Sequence, residues 1–167
     1  MAKEYIIPAA ALTTAAAAVV TLAHFQVMSA VPVCALEVLR AYVSQAANAT
    51  SAQQRIQLST QVTTWPTLVS QAPVVLKAGD PASKITGATT GAAGTSGVNA
   101  SGEGTGAKTV IIPDSFNVLN GWLWVPTPAE TIIEAGQSTA HSLGLVFPAQ
   151  PGTLTSWSWG LVFRELG

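Results

Sequence analysis

Few side chains in this sequence are equipped for chemistry. Two histidines, His24 and His141, could serve as general bases, yet neither has a carboxylate near it in sequence to orient it. Both fall on apolar faces of alternating segments, where a satisfied core or interface histidine is the commoner arrangement. The single cysteine, Cys34, sits in the apolar run Val31–Leu36 with no neighbouring cation to favour a thiolate, so it reads as a small core hydrophobe. One cysteine also excludes an internal disulfide framework and a cysteine-rich metal site. Asp80, Glu103 and Asp114 lie in or beside loops and could share a calcium ion, but the Asp-rich loop of a calcium hand is missing.

The run Gly102-Glu103-Gly104-Thr105-Gly106-Ala107-Lys108-Thr109 loosely imitates a phosphate-binding loop. Ala107 separates the glycine from the lysine, and a strand follows where a helix should receive the phosphates. Gly94-Thr95-Ser96-Gly97-Val98 fails the nucleophile-elbow pattern at its last position. Asn48-Ala49-Thr50 and Asn99-Ala100-Ser101 match glycosylation acceptors, which matter only in a secretory pathway. No catalytic residue, metal ligand or cofactor is expected. The strongest physical signal is aromatic. Trp122 with Trp124, and Trp157 with Trp159, place two indoles on one face of each of two strands. Such pairs either pack a core between sheets or form a subunit interface or glycan platform.

The elements that carry these residues read as extended. From Thr153 to Glu165, the set Thr153, Thr155, Trp157, Trp159, Leu161 and Phe163 alternates against smaller residues, as in a strand with one packed face. His141, Leu143, Leu145 and Phe147 alternate likewise, and Pro148, Pro151 and Gly152 supply a turn, so residues 140–164 read as a β-hairpin. Phe116–Val125 is apolar on both sides, with Val118, Trp122 and Trp124 on one and Leu119, Leu123 and Val125 on the other. That pattern predicts a strand covered by the core and by a partner, with Asn120-Gly121 marking a bulge or bend. Further strands are expected over 17–28, 55–64, 68–76 and 131–134, and over 33–45, where Leu36, Leu39 and Val43 also fit helical spacing but β-branched content favours a strand.

Residues 79–107 consist of Gly, Ala, Thr and Ser with almost no large apolar side chain and read as a long loop available for interaction. Residues 1–14 lack a regular pattern and read as an N-terminal arm lying on a neighbour. The expectation is one all-β domain: a jelly-roll-like β-sandwich over 15–167, carrying the 79–107 loop, preceded by the arm.

The composition narrows the function classes. Charged residues make up only 9% of the 167 residues, against the quarter expected of a soluble domain, while hydrophobic residues reach 49%. A net charge of −1 excludes the basic footprint of a nucleic-acid binder. Tyr5–Leu36 is uncharged and long enough to cross a bilayer, but it is Ala/Thr-rich and broken by Pro8 and Pro32, so no membrane span or signal peptide is expected. Such a chain hides much of its surface against itself or against neighbours.

Several stretches resemble small structural proteins encoded by tailed bacteriophages. They are Glu37-Val38-Leu39-Arg40, Ser51-Ala52-Gln53-Gln54-Arg55-Ile56-Gln57, Lys77-Ala78-Gly79-Asp80-Pro81, Phe116–Pro126 and the ending Leu154–Gly160. The resemblance implies a β-rich head protein of the virion, of cement or decoration type, that sits on the capsid surface and clamps capsid subunits. Its implied partners are the major capsid protein and copies of itself, taken as trimers. Contact residues are expected in the arm (Tyr5, Ile6, Ile7), the loop (Asp80) and the aromatic strands (Trp122, Trp124, Trp157, Trp159). Two alternatives stand beside this: another virion part, such as a tail, fibre-base or major shell subunit, and a carbohydrate-binding β-sandwich module.

Overall fold

The structure is a computed structural model, and it describes residues 3–27, 35–89, 94–134 and 141–167. Cys34, expected in the core, lies outside the described residues. Among these the chain forms β1 (Lys3–Leu12), β2 (Val20–Val27), β3 (Ala35–Gln45), β4 (Gln53–Val62), β5 (Thr67–Ser70), β6 (Val74–Val75) and β7 (Thr86–Gly87). It continues with β8 (Thr95–Gly102), β9 (Lys108–Asn117), β10 (Trp122–Trp124), β11 (Ile132–Glu134), β12 (His141–Phe147) and β13 (Trp157–Leu166).

The strands build two sheets packed face to face in one all-β domain. The six-stranded sheet runs β10-β3-β13-β1-β6, with β11 continuing the β10 edge along β3. The seven-stranded sheet runs β5-β8-β2-β12-β4-β9, with β7 beside β8. The pairing is nested. β1 pairs with β13, β2 with β12, β3 with β10 and β11, and β4 with β9, all antiparallel. The chain therefore folds as one long doubled ribbon whose closed end lies between Val62 and Lys108, and β5 to β8 form within that excursion.

Alternation fixes which residues meet between the sheets. On β13, Trp157, Trp159, Leu161 and Phe163 point inward and are buried, as their period-two spacing predicts. Phe163 meets Phe25 of the opposite sheet at a centroid distance of 5.5 Å and Tyr5 of its own at 5.7 Å. Trp157 is wedged edge-on between Phe147 at 4.9 Å and Phe116 at 6.3 Å. These tilted contacts join the layers at both ends of β13, where large rings bury the most apolar area per residue.

Four expectations are corrected. Residues expected to form an arm are strand β1, paired along β13 from Lys3↔Glu165 to Leu12↔Trp157, because Tyr5 and Ile7 alternate inward and complete the core. The stretch expected to be a long loop, 79–107, contains β8, whose Ser96, Val98 and Ala100 are buried. Its small residues permit close approach: a Cβ on Gly97 would stand 2.6 Å from Leu68 Cβ and 2.8 Å from Val69 O. Residues 140–164 are not a hairpin, since β12 and β13 belong to opposite sheets and the Pro-rich turn carries the chain across the sandwich. Phe116–Val125 is likewise two strands. β9 ends at Asn117, the backbone turns through Gly121 at φ 70°, and β10 starts on the other sheet.

Candidate functional site

Most of the residues expected at an interface lie inside the sandwich. Tyr5, Ile7, Trp157 and Trp159 are fully enclosed and Trp122 nearly so, so these side chains offer no surface to a partner. Tyr5 donates its hydroxyl to Pro81 O, Trp157 Nε1 to Thr153 O, and Trp122 Nε1 to Asp114 Oδ2. Trp124 is half-buried against the core. Asp80 stands in the turn at Gly79, where its amide donates to Lys77 O. Ile6 alone of the three arm residues points outward, between its inward neighbours Tyr5 and Ile7.

The outward side of the six-stranded sheet holds what that expectation missed. Leu123 of β10 lies in register with Tyr42 of β3, which faces Gly160 of β13, which faces Pro8 of β1. In the next row Arg40 faces Val162, Val162 faces Ile6, and Ile6 faces Val74. In the third, Ile133 and Arg164 flank Glu37, and Glu4 flanks Arg164. Arg164 bridges both carboxylates, at 3.3 Å to Glu4 and 3.4 Å to Glu37. The Tyr42 ring covers Gly160 so closely that a Cβ there would sit 2.5 Å from it. An outer face of an antiparallel sheet is ordinarily polar, and this one is apolar along its first row and, apart from the exposed Arg40, along its second.

At the β10–β11 edge the apolar character continues. Leu119, Leu123, Val125 and Ile133 are between 51% and 65% exposed. The sequence does carry this signal: Leu119, Leu123 and Val125 alternate against the inward Val118 and Trp122. Pro126 and Pro128 follow directly and blunt the edge against strand pairing.

The opposite sheet is largely polar outside, and a strap covers part of it. A β-bulge at Leu22 interrupts the β2–β12 ladder, and the freed Thr21 N–H donates to Glu103 Oε1 at 2.5 Å. Thr21 Oγ1 donates to Glu103 Oε2 at 2.5 Å, and Lys108 Nζ pairs with the same carboxylate. Gln61 Nε2 donates to Thr64 O at 2.6 Å and to Glu103 O at 3.1 Å, so residues 63–65 and 103–106 form a strap over the sheet. Beneath it, Gly97 and Gly144 flank His24, leaving lateral room for the imidazole, and the Trp65 ring lies 6.4 Å away.

His24 is buried, and neither ring nitrogen has a hydrogen-bond partner among the described residues, contrary to the satisfied histidine expected. Burial lowers its pKa to about 3, and the Lys108 ammonium pushes the same way, so the ring is neutral. His141 is half-buried at the start of β12.

The remaining candidate chemistry is engaged elsewhere. Ser96 is buried and donates to Gln71 O, Lys108 is held by Glu103, and Asp114 binds Trp122 and the Ser115 amide. Asn99 Nδ2 donates to Thr13 O. Among the described residues no three His, Cys, Asp or Glu side chains gather in a way that could hold a metal ion, and no helix is long and apolar enough to cross a membrane. A shallow groove of about 350 Å³ lies along β4 and β9, lined by Arg55, Gln57, Pro113, Asp114, Ser115 and Pro148. The chain matches no family model, and neither the curated proteins nor the solved structures contain a match to it.

Proposed function

We propose that this chain is a non-enzymatic structural protein of a tailed-bacteriophage virion, a cement or decoration protein that docks on the outer capsid surface and bridges neighbouring capsid subunits. The observation that carries the reading is the exposed apolar surface: Leu119, Leu123, Val125 and Ile133 stand in solvent on a chain with 9% charged residues. A free monomer rarely exposes a contiguous apolar patch of this kind, and such patches mark interaction sites.

The strand order supports the same reading. We read the sandwich as a jelly roll, because β1-β13-β3-β10 in one sheet and β2-β12-β4-β9 in the other nest first strand with last and second with next-to-last. Jelly rolls build viral shells and also lectins, so topology alone leaves both open. The glycan-platform alternative needs indoles presented to a sugar ring, and Trp122, Trp157 and Trp159 face inward. Capsid contact then falls to the β10–β11 edge rather than to an arm. Binding there adds to shell stability by linkage, since it is gained only on the assembled lattice.

Quantitative mass spectrometry of purified particles from the source tests the reading. A fixed ratio to the major capsid protein, near one or a simple fraction set by threefold sites, is expected. A ratio of a few per cent moves the chain to the tail or a portal-proximal position, and absence from particles overturns the virion assignment.

A further inference from the structure

We propose that Asn120 is a self-modifying site, at which the Gly121 backbone nitrogen attacks the Asn120 carboxamide and converts it, through a cyclic imide and water, into aspartate and isoaspartate. The chain has four asparagines, Asn48, Asn99, Asn117 and Asn120, and only the last precedes a glycine. The structure separates them further. Asn99 donates Nδ2 to Thr13 O, and the backbone after it continues along β8 into the buried Ala100. Asn117 is held at both ends of its carboxamide: Nδ2 donates to Ser51 Oγ at 2.6 Å, and Oδ1 accepts from the Leu119 amide at 3.0 Å. Asn48 is half-buried and precedes Ala49, whose Cβ crowds the approach to its nitrogen. Asn120 is exposed, and its side chain makes no hydrogen bond among the described residues.

The backbone favours the attack. Asn120 closes the turn after β9, its amide donating to Asn117 O at 2.9 Å. Gly121 follows at φ 70°, outside the ladder that begins at Trp122↔Val43. With no Cβ, its nitrogen is open from a side that any other residue would screen, and the untethered carboxamide beside it rotates freely about χ1. Hydroxide removes the Gly121 amide proton. A bond forms from Gly121 N to Asn120 Cγ, the Cγ–Nδ2 bond breaks, and ammonia leaves with a proton from water. Water then opens the five-membered imide: at Cγ it yields aspartate, and at the main-chain carbonyl it yields isoaspartate. One water is consumed and one ammonia released, with no oxidant or cofactor. Either product places a carboxylate between Leu119 and Leu123, which are 51% and 65% exposed. Isoaspartate also lengthens the main chain just ahead of the short strand β10, where a Cβ on Gly121 would already stand 2.9 Å from Val43 O. The β10–β11 edge thus changes slowly and irreversibly from apolar to charged. Weaker docking of aged chains rests on the proposed capsid reading of that edge, whereas the reaction itself does not.

Peptide mapping by mass spectrometry, on the purified chain incubated at pH 8 with and without guanidinium chloride, tests the site. In the folded chain Asn120 is expected to react about tenfold or more faster than Asn48, Asn99 or Asn117. Its folded rate should lie within about tenfold of its own rate in the unfolded chain, because the fold does not tie the side chain. Both aspartate and isoaspartate must appear, and their formation must slow at pH 6, where fewer amides lose a proton. Asn120→Gln keeps an exposed carboxamide but would have to close a six-membered ring, and it is expected to lose the reaction. Protection of Asn120 by more than about tenfold in the folded chain overturns the inference, since the turn then holds the carboxamide away from Gly121. Aspartate without isoaspartate overturns it equally, because direct hydrolysis needs no attack by Gly121.

Discussion

His24 shows how one side chain can set the pH response of a fold. Its neutral ring fits between Gly97 and Gly144 under Trp65, and its pKa of about 3 in the folded chain lies below the ordinary 6.5. The unfolded chain therefore binds a proton that the folded chain refuses, and stability falls as pH drops from about 6.5 towards 3, by at most about 1.4 kcal/mol per pH unit from this group. Urea titrations of wild type and His24→Leu at pH 7 and pH 4.5 should show a steeper loss for the wild type; equal losses would remove His24 as the cause. At pH 7 the leucine variant should be neutral or more stable, because it exchanges unsatisfied polar atoms for apolar ones in a covered site. Glu103 is the complementary case. Its carboxylate receives the Thr21 amide, the Thr21 hydroxyl and Lys108, so Glu103→Ala leaves a bulged N–H under the strap without an acceptor. A cost of about 1–3 kcal/mol is expected, with a change in Trp65 emission as the strap loosens. None of this was readable from the sequence, where Thr21 and Glu103 stand far apart and meet at a bulge.

At the scale of elements, legibility followed side-chain size. β13 and β12 announce themselves by large apolar residues alternating with smaller ones and β4 by apolar alternating with polar, and the inward sets on β13 and β10 fall where alternation puts them. Alternation says which residues share a face but not what covers that face, so Trp157 and Trp159 could be assigned a strand and not an environment. β8 is the reverse case: Thr95–Gly102 has almost no bulk, and its strand character comes from close approach to β2 and β5. Gly97→Ala should accordingly cost about 1–3 kcal/mol in thermal or chemical unfolding, since its Cβ meets Val69 O as well as Leu68. β1 was obscured by Pro8, which is tolerated because β6 pairs only at Tyr5 and Ile6 and leaves the rest of that edge open. An arm can be removed without harm, whereas a chain lacking residues 3–12 exposes the inward faces of Phe163 and Leu161. Deleting that segment should abolish cooperative unfolding followed by near-UV circular dichroism; a domain that still melts sharply would restore the arm.

For the molecule as a whole, the low charge noted in the sequence has a structural location. Much of the missing polarity belongs to the outward rows of the six-stranded sheet and the β10–β11 edge, while on the other sheet Thr21, His24 and Gln61 are folded under a strap. One layer is thus suited to contact, and the other is covered by the chain itself over part of its outer side. The nested ribbon has a consequence in time as well as in space. Residues 3–12 pair with 157–165, and 20–27 with 141–147, so the outermost ladders join segments made well over a hundred residues apart in synthesis. β1 must wait beside the ribosome with Tyr5 and Ile7 uncovered until β13 emerges, and a topology so dominated by distant partners folds slowly. Stopped-flow refolding monitored through Trp157 and Trp159 should accordingly lag behind the formation of the β4–β9 ladder at the ribbon's closed end, leaving a window in which chaperones, or a neighbour's matching strand, compete for the vacant place beside β13.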